Sequence, residues 1–155
     1  MGWIWALQLT NSVIDIATGD YHTVYIGSDY SLNFFGDNTG GQLVIGPSFT
    51  QLRIPTILNG SFVTNSSQIP LKLWAETSST FFWMTNSLYV TGDNTRGTLG
   101  LKISQIYYTP VPHPFTRFNT EGIMKISSGK GGGLLTKEMC LPFEQIVLDN
   151  LVLEI

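Results

Sequence analysis

The stretch FFGDNTGGQLVIG (Phe34 to Gly46) is nearly restated as VTGDNTRGTLGLK (Val90 to Lys102), so that Gly36 and Gly92 head a shared Gly-Asp-Asn-Thr 56 residues apart. A recurrence of this length marks a repeat architecture, in which one small unit stacks on the next because neither buries its apolar face alone. The match extends upstream: Ile14 to Asn38 aligns with Leu71 to Asn94, the second copy one residue shorter. The gap falls where Ser28-Asp29-Tyr30-Ser31 faces Thr85-Asn86-Ser87, and hairpin tips tolerate such loss. A third start, Ile123 to Glu138, aligns Ile126 with Ile16 and Leu73, Gly129 with Gly19, and Leu134 and Leu135 with Val24 and Tyr25. It never reaches a Gly-Asp-Asn.

Within each unit the local pattern is strand after strand. HTVYIG and TFFWMT are β-branched and aromatic, and SLNFFG and SLYVTG follow across short polar turns, which predicts a hairpin in each copy. RIPTIL and YTPVPHPF close the units with prolines, which suit edge strands. Polar loops such as NGSFVTNSSQ lie between. No segment before Thr136 sustains a helical period. The tail admits two readings: a hairpin QIVL-DN-LVLEI turning at Asp149-Asn150, or two to three helical turns over Phe143 to Leu151.

The first copy reads Ala17-Thr18-Gly19-Asp20-Tyr21-His22, then Phe35-Gly36-Asp37-Asn38-Thr39-Gly40-Gly41-Gln42-Leu43; the second keeps Gly92, Asn94, Gly97, Leu99 and Gly100, with Ser79 in place of the His. This wording resembles the repeat of the regulator of chromosome condensation family, over roughly residues 13 to 136. The resemblance implies an all-β fold: a partial β-propeller arc of about two and a half to three blades of antiparallel four-stranded sheet. It divides one repeat domain, 1–155, into a remnant or cap (1–13), repeat one (14–70), repeat two (71–122) and an incomplete third repeat with a tail (123–155). It implies a non-enzymatic protein–protein interaction module, or alternatively guanine-nucleotide exchange on a small GTPase, the activity of the family's founding member. It also implies an intracellular place, cytoplasmic or nuclear.

The motif itself reads as a rigid turn with an anchor. Gly36 and Gly92 end a strand where the chain must bend or pass close to a neighbour. Asp37-Asn38 and Asp93-Asn94 can bond their own nearby backbone. Gly41 and Gly97 supply a second permissive position, and Leu43 and Leu99 enter the space between blades. Gly19, His22 and Gly129 mark the preceding turn, with His22 expected to pack between blades. His113, in the proline-rich connector, is expected to be exposed.

Other chemistry fails on spacing. DNTGGQLVIGPS lacks the alternating oxygen ligands and the final Glu of a calcium loop. SSGKGGGLL carries Met124 where a phosphate loop needs its first Gly, and Gly131 follows Lys130 where Ser or Thr is required. Two histidines and a single cysteine, Cys140, offer no metal set or intrachain disulfide; Cys140 reads as a small buried hydrophobe. The aromatics Trp3, Trp5, Trp74, Phe81, Phe82 and Trp83 read as blade packing in preference to binding hot spots.

Composition narrows the partners. Hydrophobic residues make up 43% of the 155, a globular share, while charged residues make up 12%, against ~25% in an average domain. A weakly charged surface offers little resistance to association. The net charge is −3, and the eight basic residues are scattered from Arg53 to Lys137 with no two adjacent, which argues against direct nucleic-acid binding. The apolar opening MGWIWALQL is too short to span a bilayer, which takes about 20 residues, and lacks the basic start of a signal peptide. The sequons at Asn59 and Asn65 carry little weight without one. No cofactor or membrane partner is expected; a protein partner is. A repeat of this length gives about three units where propellers use ~4–8 blades. The chain is therefore a fragment, a self-covered arc, or one that completes a ring by self-association or with another chain.

Overall fold

The computed structural model describes residues 12–58, 69–85, 87–114, 125–129, 132–136, 145–148 and 151–154. Trp3, Trp5, Asn59, Asn65, Lys130 and Cys140 lie outside them. The first sheet takes β1 (Val13–Thr18), β2 (His22–Gly27), β3 (Leu32–Asp37) and β4 (Gln51–Ile57) in that order, every pair antiparallel. The second repeats it with β5 (Pro70–Glu76), β6 (Ser79–Met84), β7 (Ser87–Asp93) and β8 (Ile106–Pro112). Even the irregularities recur: the ladder shifts at Val13/Asp15 and Pro70/Lys72, and again at Phe34/Gly36 and Val90/Gly92. Among the described residues there is no helix.

The third sheet departs from the expected antiparallel blade. β9 (Lys125–Gly129) and β10 (Gly132–Thr136) pair in the register of β1 and β2, with Ile126 opposite Leu135 as Ile16 is opposite Tyr25. The tail then forms a hairpin, β11 (Gln145–Leu148) and β12 (Leu151–Glu154), and β12 lies parallel to β10. The order β11-β12-β10-β9 is thus a mixed sheet, not a meander.

The packing explains the strand sequences. β6 sits inside the middle sheet and is buried on both faces, so STFFWM has no polar alternation. Phe82 and Met84 join Val24, Ile26, Leu32, Phe34, Leu43 and Leu73 in one cluster between the first two sheets. Phe81 and Trp83 face the other way and join Leu88, Val90, Leu99 and Ile126. The T-shaped Phe34–Phe82 pair, with centroids 6.4 Å apart, crosses the first joint. β4 and β8 are edges. His113 N–H bonds Leu88 O at 2.8 Å, which puts the nitrogen of the preceding Pro112 on the open side, where no ladder bond is lost.

Candidate functional site

The repeated turn is built almost identically in both sheets. Gly36 and Gly92 adopt φ of +110° and +118°, a region reserved for glycine. A Cβ there would strike the Tyr21 carbonyl and lie 2.6 Å from His22 Cα at Gly36, or strike the Ser78 carbonyl and lie 2.7 Å from Ser79 Cα at Gly92. The Asp37 carboxylate accepts from Thr39 Oγ1 at 2.6 Å and Gln42 Nε2 at 2.8 Å; Asp93 accepts from Thr95 N at 2.8 Å.

The asparagines are the hubs. Asn38 Nδ2 donates to Gly46 O (3.0 Å) and Phe49 O (2.7 Å), while its Oδ1 accepts from Leu43 N (2.9 Å). Asn94 does the same with Leu101 O, Ile103 O and Leu99 N at 2.9, 2.9 and 2.8 Å. Gly41 and Gly97, at φ +79° and +78°, return N–H bonds to the Asn38 and Asn94 carbonyls. Leu43 and Leu99 are fully buried, each in one of the two apolar clusters.

The turn of the first sheet also binds the second sheet. Thr80 Oγ1 donates to Gln42 O at 2.9 Å and lies 2.9 Å from His22 Nε2. Because the hydroxyl has only one proton, which goes to Gln42 O, Nε2 must carry the proton that closes the chain. Nδ1 is then the bare nitrogen, buried with no hydrogen-bond partner among the described residues. Burial lowers the His22 pKa to about 4, against the opposing pull of Asp37, the Ser79 backbone and Asp20. Gly19 makes room for the ring: a Cβ there would collide with it and lie 2.6 Å from Glu76 O. Thr91 Oγ1 lies 2.9 Å from Gly41 O, and Asp15 Oδ2 accepts from Leu73 N at 2.8 Å.

Sequence reasoning passed over Asp15, Gln42, Thr80 and Thr91. Gln42 and Thr91 lie in the repeated wording but at positions where the two copies differ, and Asp15, Thr80 and Thr91 meet their partners only across the joint. His113 is a correction. It is 6% exposed, not exposed as a connector residue would be, and burial lowers its pKa to about 4 against a bond to the Leu99 backbone. Its N–H bonds Leu88 O as that of Leu58 bonds Leu32 O, so it holds the inward-facing position that Leu58 holds in the first sheet. Gly129 ends β9, opposite Gly132. Among the described residues no three His, Cys, Asp or Glu side chains gather as metal ligands, and no helix is long and apolar enough to cross a membrane.

Stacked four-stranded sheets, the first two each locked by a glycine-asparagine turn, define a β-propeller arc of the kind found in RCC1-like proteins. Solved structures share the fold, three of them as follows. Human WBSCR16 superposes with a TM-score of 0.66 at 16% identity, over 85% of this chain and 32% of that one. Prp20p from Saccharomyces cerevisiae, crystallised alongside a study of its binding to Gsp1p and histones, gives 0.64 at 21%, over 81% and 30%. Yeast RCC1 (Prp20) bound to Kap60 gives 0.59 at 18%, over 81% and 30%. The chain spans about a third of the length of these relatives. No family model and no curated protein matches the chain.

Proposed function

We propose that the chain is a non-enzymatic protein–protein interaction module of the regulator-of-chromosome-condensation type, with residues 14–70 and 71–122 as its two full repeats. One observation carries the reading. The polar groups of the repeated turns are spent inside the fold, while large apolar side chains stand bare around it: Tyr21 at 77% exposure, Ile54 at 69% and Ile103 at 62%. Isolated exposed apolar residues are ordinary; several on so weakly charged a surface fit a contact face. An intracellular setting, cytoplasmic or nuclear, goes with this reading.

Guanine-nucleotide exchange on a small GTPase is the second reading, favoured by the likeness to a protein that binds Gsp1p. Two measurements separate them. Exchange predicts faster release of labelled GDP from at least one member of a small-GTPase panel, and unchanged release throughout sinks it. The interaction reading predicts a partner retained by the wild-type chain and lost by Tyr21→Glu and Ile54→Glu variants whose circular dichroism is unaltered. Equal retention by those variants counts against it.

A further inference from the structure

The joint between the first two sheets has a specific seat. The Gly40-Gly41 turn of the first sheet rests on the second, on Ser78, Thr91, Asp93, Ile106 and Tyr107. A Cβ on Gly40 would lie 2.9 Å from Ser78 Cβ and 3.5 Å from Asp93 Cβ; one on Gly41 would lie 2.8 Å from Tyr107 O and 2.9 Å from Ile106 Cγ2. The seat therefore accepts backbone without side chains. The Thr80 hydroxyl holds it there by donating to Gln42 O, while Thr91 Oγ1 lies 2.9 Å from Gly41 O and nearer, at 2.7 Å, to Tyr107 O of its own sheet.

Strand register identifies the counterpart of this seat in the first sheet. Asp37 pairs Gln51 as Asp93 pairs Ile106, and Gly36 pairs Leu52 as Gly92 pairs Tyr107. Tyr21 O accepts the Asp37 amide as Ser78 O accepts that of Asp93. Phe35 precedes Gly36 as Thr91 precedes Gly92. The five counterparts, Tyr21, Phe35, Asp37, Gln51 and Leu52, all line one open groove of about 680 Å³. Beside it the inner strands differ in the same sense: Ile16 is 56% exposed where its repeat mate Leu73 is 4% exposed. Where the joint does not reach, the sheets agree, since Ile14 and its mate Leu71 are both 49% exposed.

We propose that this groove is a docking seat for a glycine-glycine turn of a repeat blade carried by another polypeptide. The seat keeps a hydroxyl at Thr23, the mate of Thr80, to donate to an incoming turn carbonyl. Ser78 and Thr91 are replaced by the larger Tyr21 and Phe35, so rings take over where the second sheet uses short polar side chains. Flat rings pack on peptide planes, and glycine lets the planes approach them. This inference rests on the interaction reading and names its partner class: a chain bearing a Gly-Gly-Gln-Leu-type blade turn.

The test titrates the isotopically labelled chain with a cyclic peptide containing Asp-Asn-Thr-Gly-Gly-Gln-Leu and follows amide shifts. The expected result is saturable change confined to Tyr21, Thr23, Phe35 to Asp37 and Gln51 to Arg53. Tyr21→Ala, at an exposed site, weakens binding about fivefold, and replacing both peptide glycines by alanine weakens it by about tenfold or more. No shift change up to roughly millimolar peptide, change centred on other residues, or equal binding of the alanine peptide overturns the proposal. A chain that holds a protein partner but ignores the peptide would sink this inference while leaving the interaction reading standing.

Discussion

Replacing Asn38 or Asn94 by alanine removes the hub of a repeated turn, and the cost can be worked from the bonds. Asn38 is 1% exposed and Asn94 fully buried. Each substitution orphans one amide and two carbonyls. The orphaned Leu43 or Leu99 amide lies under a buried leucine and bears most of the penalty, about 2 kcal/mol. The carbonyls of Phe49 and Ile103 sit on exposed residues, where water replaces much of the lost bond, so each pair of carbonyls adds about 1–2 kcal/mol. The expected loss is about 3–4 kcal/mol per substitution, a large part of the stability of a small domain. Urea denaturation at pH 7, followed by tryptophan fluorescence, reads it as a fall in midpoint at unchanged slope. Asn38→Asp should lose as much, because one oxygen keeps the acceptor for Leu43 but the other sets a carboxylate oxygen, with no proton to donate, against two carbonyls. A loss below about 1 kcal/mol in either alanine variant would refute the reasoning that these asparagines hold the turns together.

Gly36→Ala should cost more than about 3 kcal/mol or abolish folding, since it adds a backbone collision to a φ of +110°; Gly46→Ala, at φ +76° with nothing within 4 Å, should cost about 1 kcal/mol, and thermal melts compare the two. His22 and His113 are both held near pKa 4 by burial, against 6.5 when unfolded, so the folded state stays neutral while the unfolded chain takes up protons. Their contribution is complete above pH 6.5 and lost as pH falls toward 4, by about 2 kcal/mol each between pH 7 and 5. His113→Leu, which restores the residue type found at Leu58, should remove about half of that slope in denaturation midpoints measured across this range. Thr80→Val keeps the shape but breaks the chain from His22 to Gln42 O, and should cost about 1–2 kcal/mol by the same urea assay.

The repeat made the blades legible because turn chemistry is local. The asparagines are demanded by bonds spanning at most eleven residues, and Gly36 and Gly92 by a positive φ beside the neighbouring strand of the same hairpin, so a short motif carries them. The unbroken apolar run Phe81 to Met84 in β6 likewise follows from a strand covered on both faces. The inter-blade joint was hidden because its partners, such as His22 and Thr80, meet only after the sheets stack. His113 was misplaced because the alignment stopped at the second turn; carried one strand further, it sets His113 against Leu58 and predicts burial. Extending it one residue past the anchors also places Val44 against Gly100, and Val44 adopts φ +63°, a conformation its branched side chain disfavours but its repeat mate shares at +67°. The parallel pairing of β12 on β10 rests on distant partners and left no mark in the wording of the repeat.

The central claim is that the two Gly-Asp-Asn turns are internal joints of stacked blades. Native-state hydrogen exchange at the Leu43 and Leu99 amides tests it most directly, because each amide is bonded to the asparagine of its own turn. The account predicts that both exchange only through global unfolding, with the full stability of the domain and its denaturant dependence. Exchange of either amide through a local opening of roughly 1–2 kcal/mol, insensitive to denaturant, would contradict it.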